Sequence, residues 1–310
     1  MATKSKLQFK SPRQVKVKHI IGIEKLESDE ILELISLAEK VKKDPKQYAN
    51  FLQGKSLVMI FQKTSTRTRL SFEIAMTQLG GHAVFLDWKT SNFQVGDLLD
   101  EVRCIGRYAD AIMARVYSHA DIEKIASVAG VPVINGLSDR EHPCQILGDL
   151  LTIKEHKGSL KKLKISFIGD GNNVCNSLIL ACLKLGIKIA VATPKGYEPD
   201  KGICKNAGSA LEQSNDPKKA AKGADVIYTD TWVSLGQEAE TKKRLKVFTT
   251  YQVNKMLVPK NAIVMHCLPA HRGHEITDEV IDGPQSVVFD QSENRMHIQK
   301  AILLKLLGVA

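Results

Sequence analysis

The alternation of short apolar runs with amphipathic segments limits the fold of this chain more than any other feature. "KSLVMIF" (55–61) has the pattern of a buried strand, and "TRLSFEIAMTQLGG" (68–81) has that of a helix ended by two glycines. Three more strand-like runs, separated by helical segments, follow up to "VPVING" (131–136). This order predicts a parallel sheet with helices on both faces.

The same pattern begins again in the second half of the chain. "HPCQILGDLLTIKEHKGSL" (142–160) predicts a helix with Pro143 near its start, and "KISFIG" (164–169) is the first strand that follows. Near the end, "SVVFDQSENRMHIQKAILLKLLG" (286–308) predicts a short strand and a closing helix. We therefore predict an α/β fold of two doubly wound parallel-sheet domains with the active site in the cleft between them. The expected division is 1–145, 146–290, and a C-terminal helix over 291–310 that packs back on the first domain.

Ahead of the first strand, "SDEILELISLAEKVKKDP" (28–45) predicts a helix that Pro45 ends, with Ser28 or Asp29 as its cap. The preceding residues 1–19 are basic and lack the apolar core of a signal peptide, so we expect a surface arm. No apolar run approaches the length of a membrane helix. These features predict a cytoplasmic protein with no membrane partner.

The net charge of +10 leaves two readings open, a lysine-rich solvated surface or an anionic partner. No long basic block is present and aromatic residues make up only 5% of the chain, so we expect an anionic small molecule rather than nucleic acid. Six cysteines occur without a CxxC pair, and we expect all six to be buried, reduced thiols. No cofactor and no metal centre are expected.

Polar clusters follow the predicted strands at their carboxyl ends, where parallel α/β sheets bind ligands. They are Ser65–Thr68, Arg115, His142 with Gln145, Asp170–Asn173, Asp230 and Cys267. "STRTR" (65–69) could simply cap a helix, but a cap needs one hydroxyl. Several hydroxyls and two arginines at a helix start favour a phosphate cradle.

Taken singly, the other clusters have simpler structural explanations. "GDGNN" (169–173) lacks the third glycine of a dinucleotide fingerprint, so a nicotinamide cofactor is disfavoured and a plain turn remains open. His142 could be a helix cap, Asp230 and Ser234 could belong to an ordinary turn, and Cys267 could be a buried core thiol.

The motifs taken in order resemble one known family. "STRTR", "ARVY", "VPVINGLSDREHPCQ", "GDGNN", "DTWVSLGQE", "HCLP" and "ENR" occur in the order found in the ornithine carbamoyltransferase family, within the aspartate/ornithine carbamoyltransferases. The resemblance runs from about residue 31 to the C-terminus. "STRTR" and the His-Pro-x-Gln pattern are shared with the aspartate enzymes, whereas "HCLP" and the Asp-x-x-x-Ser-x-Gly loop resemble those of the ornithine enzymes.

The resemblance implies transfer of a carbamoyl group from carbamoyl phosphate to the δ-amine of L-ornithine. It assigns carbamoyl phosphate to Ser65, Thr66, Arg67, Thr68, Arg115, His142, Gln145, Cys267, Leu268 and Arg295. It assigns ornithine to Asn173, Asp230, Ser234 and Leu235, and catalysis to Arg115, His142 and Cys267. Cys267 is expected as a thiol that can deprotonate beside the substrate ammonium group, not as a nucleophile.

Two departures from the family pattern bear on these expectations. The loop that usually reads Ser-Met-Gly reads "SLG" (234–236), which keeps the volume of the side chain. The resemblance also implies a homotrimer, or a multiple of trimers, in which a glutamine reaches the neighbouring subunit's site. Here "SNFQVGD" (91–97) leaves Asn92 or Gln94 as the substitute.

Three other functions remain open from the residues. The chain could carbamoylate putrescine or an acylated ornithine, or it could be a non-catalytic metabolite-binding regulator on the same fold. A dehydrogenase is opposed by the missing glycine fingerprint. Asp230 with Ser234 favours a free amino acid over putrescine or an acylated ornithine.

Overall fold

The computed structural model describes residues 19–234 and 236–308. The predicted basic arm, up to residue 18, and the predicted ornithine ligand Leu235 lie outside the described residues. No helix in those two described ranges combines the length and the apolar character needed to cross a membrane.

Nine strands and twelve α-helices form the described part of the chain. The strands are β1 Ser56–Phe61, β2 His82–Asp87, β3 Ala111–Arg115, β4 Val133–Leu137, β5 Lys164–Ile168, β6 Lys188–Ala192, β7 Leu211–Ser214, β8 Val226–Thr229 and β9 Ile263–His266. The helices are α1 Ser28–Lys43, α2 Pro45–Tyr48, α3 Thr66–Gln78, α4 Leu98–Tyr108, α5 His119–Val128, α6 Pro143–Lys157, α7 Asn173–Leu185, α8 Lys201–Ala207, α9 Pro217–Ala221, α10 Thr241–Phe248, α11 Asp278–Ile281 and α12 Val288–Leu306. Short 3₁₀ turns occupy Ile23–Lys25, Trp88–Thr90, Asn92–Gln94, Gly208–Ala210, Glu238–Glu240 and Thr249–Tyr251.

Two all-parallel sheets confirm the predicted fold class. The first has the strand order β2-β1-β3-β4 and the second β7-β6-β5-β8-β9. The strand order reverses between β1 and β3 in the first sheet and between β5 and β8 in the second. A crevice opens at such a reversal, because the helices on its two sides leave in opposite directions.

The long helix α12 closes the chain against the first half. It packs on α1, α3 and α6, so the residues after β9 return to the elements that surround the first sheet. Its buried side chains include Ile298, Ile302 and Leu303, which join the core shared with α1 and α6. Arg295 is thereby brought from the end of the chain to the crevice of the first sheet.

Three details differ from the sequence expectations. Glu27, not Ser28 or Asp29, caps α1 through a capping box with Glu30, because the Ser28 hydroxyl instead donates 2.7 Å to the carbonyl of Lys184. The short strand predicted before α12 is only an isolated bridge between Val264 and Ser286. The edge strand β7 was not predicted, because its residues "LEQS" are mostly polar and lack a strand pattern.

The expectation that all six cysteines are buried is wrong. Cys104 is exposed on α4, and Cys204 and Cys267 are half-buried. The other three are buried, and all six are free thiols. Cys104 lies on the solvent side of an amphipathic helix whose buried residues are Val102 and Ile105. Because these apolar residues flank it in sequence, Cys104 was expected to be buried with them.

Candidate active site

A single cleft of about 900 Å³ lies at the carboxyl ends of both sheets, where their strand orders reverse. Every site residue expected from the sequence, apart from the undescribed Leu235, contributes to its wall. These residues are Ser65, Thr66, Arg67, Thr68, Arg115, His142, Gln145, Asn173, Asp230, Ser234, Cys267, Leu268 and Arg295. The two halves of the chain therefore share one concave site.

The first wall begins with the amino end of α3. Ser65 has extended backbone angles and caps the helix, because its hydroxyl oxygen accepts from the Thr68 backbone N–H at 3.2 Å. The same hydroxyl lies 3.0 Å from that of the buried Thr68. Helix capping and ligand binding are thus compatible here, since the helix amino end directs N–H groups and hydroxyls towards the cleft.

Three guanidinium groups, those of Arg67, Arg115 and Arg295, line this wall. Burial, and then the neighbouring charges of Arg295 and Arg67, lower the pKa of Arg115 to about 10. Burial, followed by the charge of Arg67, likewise lowers the pKa of Arg295. Within residues 19–234 and 236–308, no ion pair joins any of the three to a carboxylate.

Several polar atoms beside these arginines also lack a hydrogen-bond partner. The Nε atoms of Arg115 and Arg295 and the Nδ1 atom of His142 are buried and unpartnered in the described structure. Leaving such groups unpaired costs about 1–3 kcal/mol each, and more for charged groups. Donors and positive charge left unpaired at one place form a site for a dianion.

His142 lies at the start of α6 as a neutral imidazole. Burial, and then the charges of Arg295, Arg115 and Arg67, lower its pKa well below the ordinary value. Its backbone N–H donates 2.9 Å to the hydroxyl of Ser177 on α7, which fixes the loop across the cleft. A neutral imidazole in this position can donate one hydrogen bond to a bound carbonyl oxygen without adding a fourth positive charge.

The opposite wall carries the acidic group of the cleft. Asp230 follows β8 and is 6% exposed, and its carboxylate accepts from Asn172 Nδ2 at 2.7 Å and from Cys267 Sγ at 3.0 Å. Burial and the Asp230 carboxylate raise the pKa of the Cys267 thiol well above its ordinary value. In the absence of a ligand the thiol is therefore protonated and donates to Asp230. Its deprotonation beside a substrate ammonium group stays a prediction.

Asn173 and Ser234 occupy the same wall but are held differently. The Asn173 side chain donates 2.6 Å to the backbone carbonyl of Ser138, which belongs to the first half of the chain. The backbone N–H of Ser234 donates 3.0 Å to the side chain of Gln237. Both residues are near Asp230 in the cleft, and Asn173 also ties the two halves together.

The "GDGNN" turn has a structural reason for its second glycine. A Cβ on Gly171 would lie 2.3 Å from the backbone nitrogen of Pro199, so no larger residue fits there. Asn172 then caps α7 by accepting from the backbone N–H groups of Val174 and Cys175. The turn serves the packing of the loop and the start of α7, in line with the plain-turn reading.

Two residues that line the cleft, Lys63 and Arg244, were not predicted from the sequence. Lys63 precedes "STRTR", lines the cleft and lies 4.4 Å from the ring centroid of Tyr117, and burial and Arg115 lower its pKa. Arg244 is buried against Asp170 at 3.0 Å and donates to the carbonyl of Trp232, which holds the loop after β8. Lys63 follows a strand end in sequence, whereas nothing in the sequence of α10 indicates the role of Arg244.

Asn92 and Gln94 do not reach the cleft of their own chain. Both are exposed in a 3₁₀ turn, and the intervening Phe93 is buried against the ring of Trp88 at 4.5 Å. The loop is thus fixed by an aromatic anchor and presents two amides to solvent. This placement leaves the intersubunit role of the loop a prediction.

Asp230, His266 and Cys267 bring three potential metal-ligating atoms within 4.8 Å of one another. His266 is already engaged at both ring nitrogens, since Nδ1 accepts from the Leu268 N–H at 2.9 Å and Nε2 lies 3.0 Å from Glu275. The hydrogen bonds therefore explain this cluster as support for the Cys267–Leu268 turn.

Comparisons with known proteins cover almost all of the described chain. Residues 18–155 match the family model described as aspartate/ornithine carbamoyltransferase, carbamoyl-P binding domain. Residues 161–306 match that described as aspartate/ornithine carbamoyltransferase, Asp/Orn binding domain. The two matched regions correspond to the two sheets.

Individual relatives are similar at high identity. An ornithine carbamoyltransferase of Archaeoglobus fulgidus is 52% identical over 301 residues, which cover 94% of this chain and 98% of the relative. One from Pyrococcus horikoshii is 56% identical over 268 residues, 83% of this chain and 84% of the relative. The solved structure of the Pyrococcus furiosus ornithine carbamoyltransferase superimposes with a TM-score of 0.89 at 50% identity, covering 94% of this chain and 97% of that one.

Proposed function

The chain belongs to the aspartate/ornithine carbamoyltransferase family and is an ornithine carbamoyltransferase, and on that premise we propose how its cleft performs the transfer. Carbamoyl phosphate binds on the wall of α3, Arg115 and Arg295. L-Ornithine binds on the wall of Asp230. The products are L-citrulline and phosphate.

The phosphate group is held by the amino end of α3 and the three guanidinium groups. Ser65, Thr66, Arg67 and Thr68 supply hydroxyl and N–H donors, and Arg115 and Arg295 supply charge. The observation that carries this proposal is the set of buried guanidinium groups without a carboxylate partner in the described chain. Charge-assisted hydrogen bonds to a dianion give these donors partners and offset the repulsion among the three guanidinium groups.

The carbamoyl group lies beside His142, Arg115 and Thr68. These donors polarise the carbonyl and stabilise the negative charge that develops on its oxygen when the amine attacks. The uncharged δ-amine forms the new C–N bond on the carbonyl carbon, the C–O bond to phosphate then breaks, and the proton lost by the amine leaves with the phosphate. Catalysis consists of orientation and electrostatic stabilisation, with no covalent intermediate on the enzyme.

Ornithine is oriented by the opposite wall. Asp230 pairs with the α-ammonium group, and Asn173, Ser234 and Leu235 complete the contacts to the amino acid. The Asn173 side chain also donates to the Ser138 carbonyl, so ornithine would bind beside a contact that joins the two halves of the chain. Cys267 and the backbone of Leu268 lie where the δ-amine approaches the carbonyl carbon.

Cys267 orients the attacking amine and does not attack itself. Its protonated thiol donates to Asp230 in the unliganded protein, so an arriving ammonium group competes for the same carboxylate. Gln145 acts on the carbamoyl phosphate side, where its side-chain oxygen accepts from Arg295 at 2.9 Å.

The remaining features of the proposal concern the setting of the enzyme. We place the carbamoyl phosphate domain in residues 1–145, the ornithine domain in 146–290 and the returning helix in 291–310, and the packing of α12 on α1, α3 and α6 supports the last of these. A role in arginine biosynthesis fits a relative from Pyrococcus furiosus named as anabolic. The cytoplasmic location and the homotrimer, or multiple of trimers, rest on the sequence expectations alone.

A substrate comparison tests the proposed function. The purified protein is given carbamoyl phosphate with L-ornithine, putrescine, N-acetylornithine or L-aspartate, and the carbamoylated product is quantified. We expect the largest kcat/KM with ornithine, because putrescine lacks the α-carboxylate group and an acylated ornithine lacks the α-ammonium group that would pair with Asp230. A preference for putrescine or N-acetylornithine would redirect the assignment, and the absence of any product would favour a non-catalytic regulator.

A further inference from the structure

Asp149 is a buried carboxylate that has no role in the reaction described above. It lies in the interior of α6 within the apolar stretch "ILGDLLT", and it is fully buried. An ionised carboxylate in such a place is costly unless it is hydrogen-bonded and near a positive charge. Its contacts therefore show what it is for.

Three side chains donate to Asp149, one from each element packed around it. Gln145 on α6 donates through Nε2 to Oδ1 at 2.8 Å, and Gln291 on α12 donates through Nε2 to the same oxygen at 2.8 Å. Tyr228 on β8 donates its hydroxyl to Oδ2 at 2.8 Å. The carboxylate thus joins α6, α12 and the second sheet.

The bond from Gln145 determines which way that amide faces. An ionised carboxylate only accepts hydrogen bonds, so the NH₂ group of Gln145 must face Asp149. The amide oxygen then faces Arg295, whose Nη1 donates to it at 2.9 Å. If the amide were reversed, its NH₂ group would oppose the guanidinium and Arg295 would lose this acceptor.

We propose that Asp149 is a positioning residue for carbamoyl phosphate, whose ionised carboxylate fixes the Gln145 amide so that Arg295 is held in the phosphate site. Gln291 and Tyr228 hold the carboxylate itself from the other side. The inference rests on the proposed function, since it takes the arginine wall as the carbamoyl phosphate site.

Protonation of Asp149 would loosen this arrangement. Burial raises the pKa of its carboxyl group to about 6, while the bonds from Gln145, Tyr228 and Gln291 and the charge of Arg295 act against that rise. The titratable groups that face it are Tyr228, Arg295 and, more remotely, Cys267. As the pH falls through about 6, the carboxyl group becomes a donor on one oxygen and no longer dictates the orientation of Gln145.

The test compares Asp149→Asn with the native enzyme in the citrulline assay between pH 5.5 and 8, a range chosen about the pKa of the carboxyl group. Asparagine has the same shape but adds a donor and removes the charge. We expect the KM for carbamoyl phosphate to rise about tenfold or more, with a smaller change in the KM for ornithine. As the pH falls below about 6, the KM of the native enzyme for carbamoyl phosphate should rise. The KM of Asp149→Asn should not show this rise, because the variant has no carboxyl group to protonate.

Thr152→Val is the matched control. Thr152 is buried on the same helix and accepts from Asn294 of α12 at 3.0 Å, so its loss disturbs the same interface without touching Gln145 or Arg295. We expect a lower melting temperature and a native KM for carbamoyl phosphate. Equal effects of Thr152→Val and Asp149→Asn on that KM would overturn the proposal, as would a native pH profile in Asp149→Asn.

Tyr228→Phe provides a second test if Asp149→Asn does not fold. It removes one donor that lowers the pKa of Asp149 and leaves Gln145 in place. The acid limb of kcat/KM for carbamoyl phosphate should move to higher pH, and an unmoved limb would overturn the inference. Absence of citrulline formation by the native enzyme would instead refute the proposed function.

Discussion

Replacement of Arg115 by methionine should stabilise the unliganded protein and greatly weaken its stabilisation by phosphate. Arg115 is 8% exposed, and burial and the charges of Arg295 and Arg67 lower its pKa from its ordinary value to about 10. Since one pKa unit corresponds to about 1.36 kcal/mol, its charge destabilises the fold by about 3 kcal/mol. The pKa is lower in the folded state, so this destabilisation is fully present below pH 10 and disappears as the pH rises past 12.5.

Methionine fills a similar volume without charge, so Arg115→Met removes the repulsion while largely retaining the packing. We expect the free energy of unfolding in phosphate- and sulfate-free buffer to rise by up to about 3 kcal/mol. The native protein should also gain about 2.7 kcal/mol when phosphate is present at a hundred times its dissociation constant, and the variant should gain much less.

Urea unfolding with and without phosphate measures both quantities. Arg69→Met is the control, because Arg69 lies on the same helix as Arg67 but is exposed and paired with Glu73 at 2.9 Å. Our reasoning would be refuted if Arg115→Met were markedly less stable than the native protein in anion-free buffer. An undiminished gain from phosphate in the variant would refute it as well.

Three further predictions concern the reaction, the stability and the assembly. Cys267→Ser should raise the KM for ornithine more than that for carbamoyl phosphate, and trapping of a carbamoyl-thiol adduct by mass spectrometry would contradict this role. Burial raises the pKa of Glu141 to about 7, so its ionisation destabilises the fold. As the pH rises from 4.5 to 7, the native protein should lose about 3 kcal/mol of stability relative to Glu141→Gln. Parallel curves of unfolding free energy against pH for the two proteins would contradict this prediction. Mixing the Arg67→Ala variant with the Asn92→Ala/Gln94→Ala double variant should restore activity when the subunits exchange. If exchange is proven and the activity only equals the sum of the two variants' separate activities, the loop over residues 91–97 does not reach a neighbouring site.

The fold was largely predictable because its signals are local. β1, β3, β5 and β8 are mainly apolar runs buried on both faces, and glycine follows the ends of α3, α5, α6 and α7. The edge strand β7 was missed because an edge needs little apolar burial. The cap of α1 was misplaced because the Ser28 hydroxyl is taken by a tertiary contact to Lys184 that no local pattern indicates.

The cleft was predictable for a topological reason. Residues at the carboxyl ends of parallel strands meet at one edge of a sheet, so Arg67 and Arg115 could be placed together before any geometry was known. Arg295 could not be placed in this way, because only the packing of α12 on α6 brings it there. Asp149 and Arg244 were not foreseeable either, since their roles depend on partners 142 and 74 residues away.

The protonation state of Cys267 also lay beyond sequence reasoning. The thiol was expected to deprotonate beside the substrate ammonium group, and without that group burial, followed by the Asp230 carboxylate 3.0 Å away, raises its pKa. Burial is the largest cause of the rise and the charge of Asp230 adds to it, whereas the charge of Arg295 acts against it.

Transfer of a ¹³C label from carbamoyl phosphate in a single turnover tests the central claim most directly. Enzyme and labelled carbamoyl phosphate are mixed in equimolar amounts with excess L-ornithine, and the label is followed by NMR and by mass spectrometry of the protein. The cleft described above predicts that the label passes directly into the ureido carbon of citrulline while the protein stays unlabelled. Label on the protein, or its release as cyanate or bicarbonate without citrulline, would contradict the account.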